Sequence, residues 1–574
     1  MRQALLASLL TAISMLSLTE MLPKAMYGAS LISILIIMAI IIYMKSSQHT
    51  SQKSILMFLT LYILIVSLSE SFSYGFSPVY PKSGDWIEYY MASLLFLNKD
   101  LPQTLYYSHV QHAIGWHLLV CIISVVLDIP ISIVYHIMMP IMYLILLLTF
   151  VSLAKRFNIK IHSLYSALLF TLSSVPVVFD MTHPNPRSLA VALAIAMTYV
   201  HLLRRAPLAS LVFATTSTAV HNGVGLFSSL VLVGVSFIYS IIKYKNDGYK
   251  FIFSSLLLLV SSIIVIYMGA IDEMLRYALG YDWNIIAHLL KMLNVGAIGD
   301  VGIPFDPVAR PPEETLLRIL YTINFGLYLA LPSIGFFLYL KARRHSPVPP
   351  TYILFNYVML LLGIMTYAAM GFLSSLRAIS LASPIVLIST IYALESLETF
   401  KNISSKLLWI PVITLILLSS LGGSLTLGQS GYQALYLLYG RSVYQYLGYP
   451  RYLSYEQLNL LSKIISMLKD SNVKLYSDSI STFLINENDI NSTKYIYENY
   501  RIIWFLPLRR DIGGRQIAII MQDLIPLRGM FNFIWRTSRA NPAEIYAQVL
   551  VYITESNRAV IYADSSKIVI YMLD

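Results

Sequence analysis

The sequence predicts a polytopic α-helical membrane protein with about 13 transmembrane helices and a C-terminal extracytoplasmic α/β domain. Two observations predict it. The 574 residues are 57% apolar and only 12% charged, with a mean hydropathy of +0.68, whereas soluble globular chains carry about twice that charge density. The charge is also uneven: residues 428–574 hold 27 of the 69 charged side chains, about 18% of that segment, against about 10% for residues 1–427. The first part reads as membrane and the second as water-exposed. This composition excludes a cytosolic enzyme, a disordered regulator and a disulfide scaffold. The single cysteine, Cys121, excludes a Cys-based zinc site as well.

Apolar stretches able to cross ~30 Å of hydrocarbon fall at 3–21, 27–44, 54–72, 131–154, 161–179, 188–204, 207–221, 224–242, 250–270, 315–340, 350–371, 377–396 and 405–426. A further stretch, 110–127, is ambiguous, and charge decides it. With the N-terminus inside and 110–127 lying along the outer interface, the inner loops hold sixteen basic residues against three acidic ones. The outer loops then hold nine basic and fourteen acidic. A crossing at 110–127 would move the basic clusters, such as Lys155-Arg156 and Arg204-Arg205, to the outside, against the positive-inside rule. The net charge of +11 is therefore read as topology, not as a nucleic-acid interface. An odd number of crossings puts the C-terminal domain outside. A cleaved signal sequence in place of the first span leaves the later topology unchanged.

The organisation is then three parts: two N-terminal helices in 1–53, a transmembrane domain over 54–427 with long outer loops at 73–130 and 271–314, and an α/β domain over 428–574. In that last part residues 455–469 have a helical period, with Leu458, Leu461, Ile464, Ile465 and Leu468 on one face. Residues 474–478, 501–505, 516–521, 549–554, 559–562 and 567–571 read as strands.

Candidate chemistry lies at the outer boundary. Asp85 and Glu88, in Gly84-Asp85-Trp86-Ile87-Glu88, are three apart and share a face of any helix starting there; the plainer alternative is that Asp85 caps a surface helix. Asp180, His183 and Arg187 crowd a short loop with two prolines, which suits a ligand or metal site or an ordinary turn with a snorkelling Arg. His221-Asn222-Gly223 suits a polar headgroup or a tight Asn-Gly turn. Arg377, the lone base of its outer turn, suits a lipid phosphate, which a guanidinium grips bidentately, or simple snorkelling. No GxxxxGK[ST], GxGxxG or HExxH is present. Within the spans His136 and His201 read as packed or boundary histidines, which weakens an ion-pump or secondary-transporter reading.

These features resemble the GT-C superfamily of integral membrane glycosyltransferases that use polyprenyl-phosphate-linked sugars. The likeness rests on a span followed by a long outer loop with the early acidic motif Gly84-Asp85-Trp86-Ile87-Glu88-Tyr89-Tyr90. An interface helix with Trp116 and His117 follows, then a span ending at Lys155-Arg156, then an acidic second outer loop from Asp180 to Arg187. An extracytoplasmic domain ends the chain, and its last segments, 558–562 and 567–571, are similar to the C-terminal hairpins of archaeal members. The Trp-Trp-Asp-Tyr-Gly motif of oligosaccharyltransferase catalytic subunits is absent. The acidic motif is Asp-Trp-Ile-Glu where many relatives have adjacent carboxylates, so Asp85 and Glu88 both stay candidates for the base.

The resemblance implies an inverting transfer from a polyprenyl-phosphate sugar donor to an acceptor hydroxyl on the outer face of the cell membrane. Asp85 would be the general base. His183, Arg187, His221 and Arg377 would bind the lipid phosphate, and Asp180 would hold a divalent metal (Mg or Mn) or orient the acceptor. The implied partners are the donor, an acceptor of unspecified identity and the bilayer, with no nucleic acid. Two alternatives stay open: a transporter or flippase of lipid-linked saccharides, which needs a polar path through the membrane centre, and a non-catalytic membrane scaffold.

Overall fold

Long apolar runs become helices here because hydrocarbon leaves the backbone no partner but itself. The computed structural model describes residues 56–57, 59–64, 67, 113–157, 161–181, 185–243, 246–269, 312–342, 346–370, 379–399 and 415, together with five C-terminal strands. The expected spans before residue 54 and at 405–426, the helix at 455–469 and the strand at 549–554 lie outside the described residues.

The helices are α1 (Ile114–Leu127), α2 (Ile131–Ala154), α3 (Ile161–Leu172), α4 (Val175–Met181), α5 (Pro186–Tyr199), α6 (Pro207–Val220), α7 (Asn222–Lys243), α8 (Asn246–Gly269), α9 (Pro312–Ala342), α10 (Pro350–Met370) and α11 (Ser383–Thr399). The strands are β1 (Lys474–Ser477), β2 (Tyr500–Ile502), β3 (Gln516–Met521), β4 (Val560–Ala563) and β5 (Ile568–Leu573). Among the described residues, four helical stretches are long and apolar enough to cross a bilayer: Ile133–Ala154, Pro186–Arg204, Asn222–Ile241 and Ile323–Leu340. The chain is a polytopic helical membrane protein. Its contacts divide it into two compact units, one of residues 1–73, 106–119 and 135–438, the other of residues 74–105, 120–134 and 439–574.

In the first unit α5 and α6 run antiparallel. Ser217 Oγ donates to the Ala190 carbonyl at 3.0 Å, and His201 Nδ1 lies 3.4 Å from Ser210 Oγ nearer the other end. Next to them α7 and α8 form a ladder of hydroxyls. Ser229 and Ser236 on α7 meet Ser262 and Ser255 on α8 at 3.2 and 2.7 Å. The rungs are seven residues apart on both helices, two turns of α-helix, so they recur on one face. Thr218 donates to Ser262 at 3.0 Å, and His201 Nε2 lies 3.1 Å from Ser255. All of these side chains are buried. Small hydroxylated residues let helices approach closely, and each interhelical bond contributes about 0.6 kcal/mol in lipid. His136 and His201 are buried, as expected of packed histidines.

Where α9 and α11 pack together, Gly335 makes the contact feasible, because a Cβ there would fall 2.0 Å from Ser389 Oγ and 2.6 Å from its Cα. The Tyr357 hydroxyl of α10 donates to the carbonyl of Pro332 inside α9.

The expected continuous span at 161–179 is corrected: it breaks at Ser173-Ser174 into α3 and α4. Pro176 lacks the N–H that would bond the Leu172 carbonyl, and with Ser173-Ser174 before it the chain restarts with the proline in the first turn of α4. Groups freed by the break find partners elsewhere. Tyr143 of α2 donates to the Leu172 carbonyl at 3.1 Å, and Asn324 of α9 accepts from Val175 N–H at 2.8 Å. Ser380 donates to the Pro176 carbonyl at 3.0 Å.

The second unit contains a five-stranded mixed sheet in the order β2-β1-β3-β5-β4. β1 pairs in parallel with β2 and β3, and β5 pairs antiparallel with β3 and β4, with Ile519 opposite Ile570. Five of the six expected strands are thus observed near their expected positions; the parallel pairs require crossover connections.

Candidate functional site

The break in the α3–α4 segment places Asp180 in the last turn of α4, one turn beyond Pro176 and within the packed interior. Its residue exposure is 1%. The Ser380 hydroxyl, whose single proton is shared between the Pro176 carbonyl and the Asp180 carboxyl, adjoins Asp180, while Asp180 Oδ2 is buried with no partner among the described residues. A buried carboxylate oxygen left without a donor costs about 1–3 kcal/mol. Burial pushes the Asp180 carboxyl up from 3.8 to about 7, against the lowering effects of the Ser380 bond and the Arg187 charge. Tyr328 of α9 lies near enough to feel the carboxyl's charge, and its hydroxyl donates to the Ile379 carbonyl at 2.9 Å.

Arg187 comes from the first turn of α5. Pro186 occupies the start of that helix and Asn185 caps it, accepting from Ser188 N–H at 3.0 Å and from Ser188 Oγ at 3.1 Å. Asp180 and Arg187 therefore sit in helical turns and not in the open loop that the two prolines suggest. Arg187 Nε donates to His221 Nε2 at 3.0 Å. His221 is the one residue between α6 and α7, with an extended backbone at φ −154°, ψ 104°. Asn222 and Gly223 belong to the first turn of α7, which corrects the Asn-Gly turn alternative.

The guanidinium has no lone pair to offer and stays protonated. His221 Nε2 must therefore be the acceptor, which leaves the imidazole without a proton at that nitrogen. The Val224 N–H lies 3.3 Å from the other ring nitrogen, Nδ1. Since a neutral ring carries one proton, only one of these two contacts is a hydrogen bond at a time, and the shorter is the one to Arg187. With Nε fixed, the two Nη groups of Arg187 face no acceptor among the described residues. A guanidinium held in this way presents a fork of N–H groups matched to a carboxylate or phosphate.

The structure thus brings together three of the residues singled out in the sequence, Asp180, Arg187 and His221. Asp85, Glu88, His183 and Arg377 lie outside the described residues. Three participants were not anticipated: Ser380, Tyr328 and Asn324. Ser380 lies 204 residues from Pro176 and Asn324 lies 149 from Val175, so no local pattern points to them. Among the described residues no three His, Cys, Asp or Glu side chains converge. Asp180 offers one carboxylate beside a guanidinium charge. By themselves these residues do not fit a divalent cation.

No protein-family profile matches the chain, and no curated protein sequence matches it. Among solved structures it is similar to ArnT from Cupriavidus metallidurans. With the crystal structure bound to undecaprenyl phosphate the TM-score is 0.45 at 9% identity, covering 90% of this chain and 98% of that one. With the apo structure the TM-score is 0.44 at 9% identity and the same coverage. Likeness at this level fixes neither family nor chemistry for this chain.

Proposed function

We propose that the chain is a membrane glycosyltransferase of the GT-C type that moves a sugar from a polyprenyl-phosphate donor to an acceptor hydroxyl, with inversion, at the end of the helical unit that carries Asp180, Arg187 and His221. The observation that carries this reading is the Arg187 fork, pinned through Nε by His221 beside a buried carboxylate with an open oxygen. A pinned guanidinium at the end of apolar helices suits the phosphate of a ligand whose tail remains in lipid.

The acceptor hydroxyl gives its proton to Asp85, with Glu88 the other candidate base. The acceptor oxygen attacks the anomeric carbon from the face opposite the phosphate. The bond from that carbon to the phosphate oxygen breaks, and its electron pair leaves on the phosphate. Inversion follows from the single displacement, as in inverting glycosidases, where a carboxylate activates the nucleophile. Charge grows on the leaving phosphate; the Nη groups of Arg187 would receive it, since fixed donors in a water-poor site lower the barrier most. Asp180 Oδ2 accepts a hydroxyl of the acceptor and orients it. His183 and Arg377 belong to the same proposed phosphate site. The topology that goes with this reading has the N-terminus cytoplasmic and the C-terminal domain extracytoplasmic.

The buried hydroxyls of α6, α7 and α8 bear on the transporter alternative. Thr218, Ser229, Ser236, Ser255 and Ser262 are paired with one another or with backbone carbonyls, which makes these five packing contacts, while Ser228 Oγ of α7 is buried with no partner among the described residues.

The test is sugar transfer from polyprenyl-phosphate donors by the full chain in membranes. Asp85→Asn should abolish transfer with the protein still folded. Undiminished activity in both Asp85→Asn and Glu88→Gln would refute a carboxylate base in this loop.

A further inference from the structure

At the opposite end of the helical unit the chain gathers cations that the proposed reaction does not use. Arg156 follows the C-terminus of α2 and its Nη2 donates to the Leu203 carbonyl at 2.7 Å. That bond joins two basic pairs, Lys155-Arg156 and Arg204-Arg205. Past Tyr199 the helix α5 continues as a π-turn over Val200–Arg204, and Arg205 ends it in the left-handed region at φ 53°. A side chain pays roughly 1–2 kcal/mol for that conformation. Arg204 is held against Tyr199, with Nε donating to its hydroxyl at 3.0 Å and the guanidinium 5.8 Å from the ring centroid.

One of these four cations is accounted for by the fold, because Arg156 satisfies a carbonyl at a helix end, where positive charge is favoured. Lys155, Arg204 and Arg205 are exposed, and among the described residues none of them pairs with a carboxylate. The carboxylates at this end are Asp247 in the first turn of α8, and Glu395 and Glu398 in the last turns of α11; Glu395 lies near Tyr392, whose ring meets Phe157 at 5.5 Å. Lipid-facing apolar side chains adjoin the cluster: Leu148 on α2, and Leu208 and Val212 on α6, are all strongly exposed.

We propose that Lys155, Arg204 and Arg205 form a binding site for the phosphate of an anionic membrane phospholipid, whose acyl chains lie along the exposed apolar faces of α2 and α6. Three exposed cations with no ion pair among the described residues select negative charge. The guanidinium of Arg204, fixed through Nε, keeps its Nη groups for phosphate oxygens. The apolar neighbours distinguish a lipid from a free anion. The site is independent of the glycosyltransferase reading, since it shares no residue with Asp180, Arg187 or His221.

The experiment is native mass spectrometry of the full chain released from detergent, after titration with phosphatidylglycerol, with phosphatidylcholine and with inorganic phosphate. The wild type should retain phosphatidylglycerol in preference to phosphatidylcholine, and inorganic phosphate should not displace it. Lys155→Gln, Arg204→Gln and Arg205→Gln should each lower the retention about fivefold, the effect of one cation at an anionic lipid surface. Arg205→Lys, which keeps the charge, should retain the lipid and controls for misfolding. Equal retention of the two lipids by the wild type would overturn the proposal. So would displacement by inorganic phosphate, or triple-variant retention equal to the wild type.

Discussion

The two ends of the helical unit treat polar groups in opposite ways. At one end helices break: α3 gives way to α4 at Ser173-Ser174, and α6 turns into α7 through His221 alone. The groups freed there are partnered by distant side chains, yet Asp180 Oδ2 is left without a donor among the described residues. At the other end the helices run out into arginines whose donors settle on a carbonyl and a tyrosine. The proposed transfer uses the first end, with its buried carboxylate oxygen and pinned guanidinium. The proposed phospholipid site uses the second, with its exposed cations and leucines. Between them, the hydroxyl ladder of α7 and α8, joined by Thr218 and His201, serves packing.

The comparison can be broken at Asp180 first. Its carboxyl is raised from 3.8 to about 7 by burial. A raised acid binds more protons folded than unfolded, so its contribution to stability is fully present below about pH 4 and is lost as pH rises through about 7. Relative to Asp180→Asn, the wild type should lose up to about 4 kcal/mol across that window, read from thermal unfolding in detergent between pH 4 and pH 8. Parallel pH profiles for the two proteins would show that the carboxyl is not held in a water-poor site.

A smaller effect sharpens the comparison from the side of the scaffold. Asn324→Ala removes the acceptor of the buried Val175 N–H and should cost about 1–3 kcal/mol in denaturant unfolding. Because that bond sets the start of α4, transfer should fall as well, while phospholipid retention at the far end should not change. A variant that lost both in equal measure would mean that the two ends are not separate.

Much of this architecture is legible in the sequence, for identifiable reasons. The runs 131–154 and 350–371 match α2 and α10 to within a residue, because a long apolar stretch has one outcome in lipid, where even the Pro140 inside α2 leaves the helix continuous. Five strands of the C-terminal sheet are visible as short β-branched runs between polar segments. The break before Val175 is signalled by Pro176, but the apolar content of 161–179 conceals it, since hydropathy averages over a proline. Asp180 and Arg187 stand out as charges at a membrane boundary. The side chains that hold them do not: Ser380, Tyr328 and Asn324 are ordinary residues in other helices or turns, and only the packing of chain segments more than a hundred residues apart makes them partners. The ladder rungs Ser229, Ser236, Ser255 and Ser262 carry a seven-residue signal that can be read from the sequence once two neighbouring helices are known to be antiparallel.

The most direct measurement is a paired one: the rate of sugar transfer from a polyprenyl-phosphate donor for Arg187→Gln and for Arg204→Gln, each against the wild type in the same membranes. Loss of a donor aimed at developing charge lowers kcat by about 10²–10³-fold; that loss is expected for Arg187→Gln, with Arg204→Gln within about twofold of the wild type. Equal rates for the two variants, or the larger loss at Arg204, would contradict the assignment of the reaction to the end that carries Asp180 and His221.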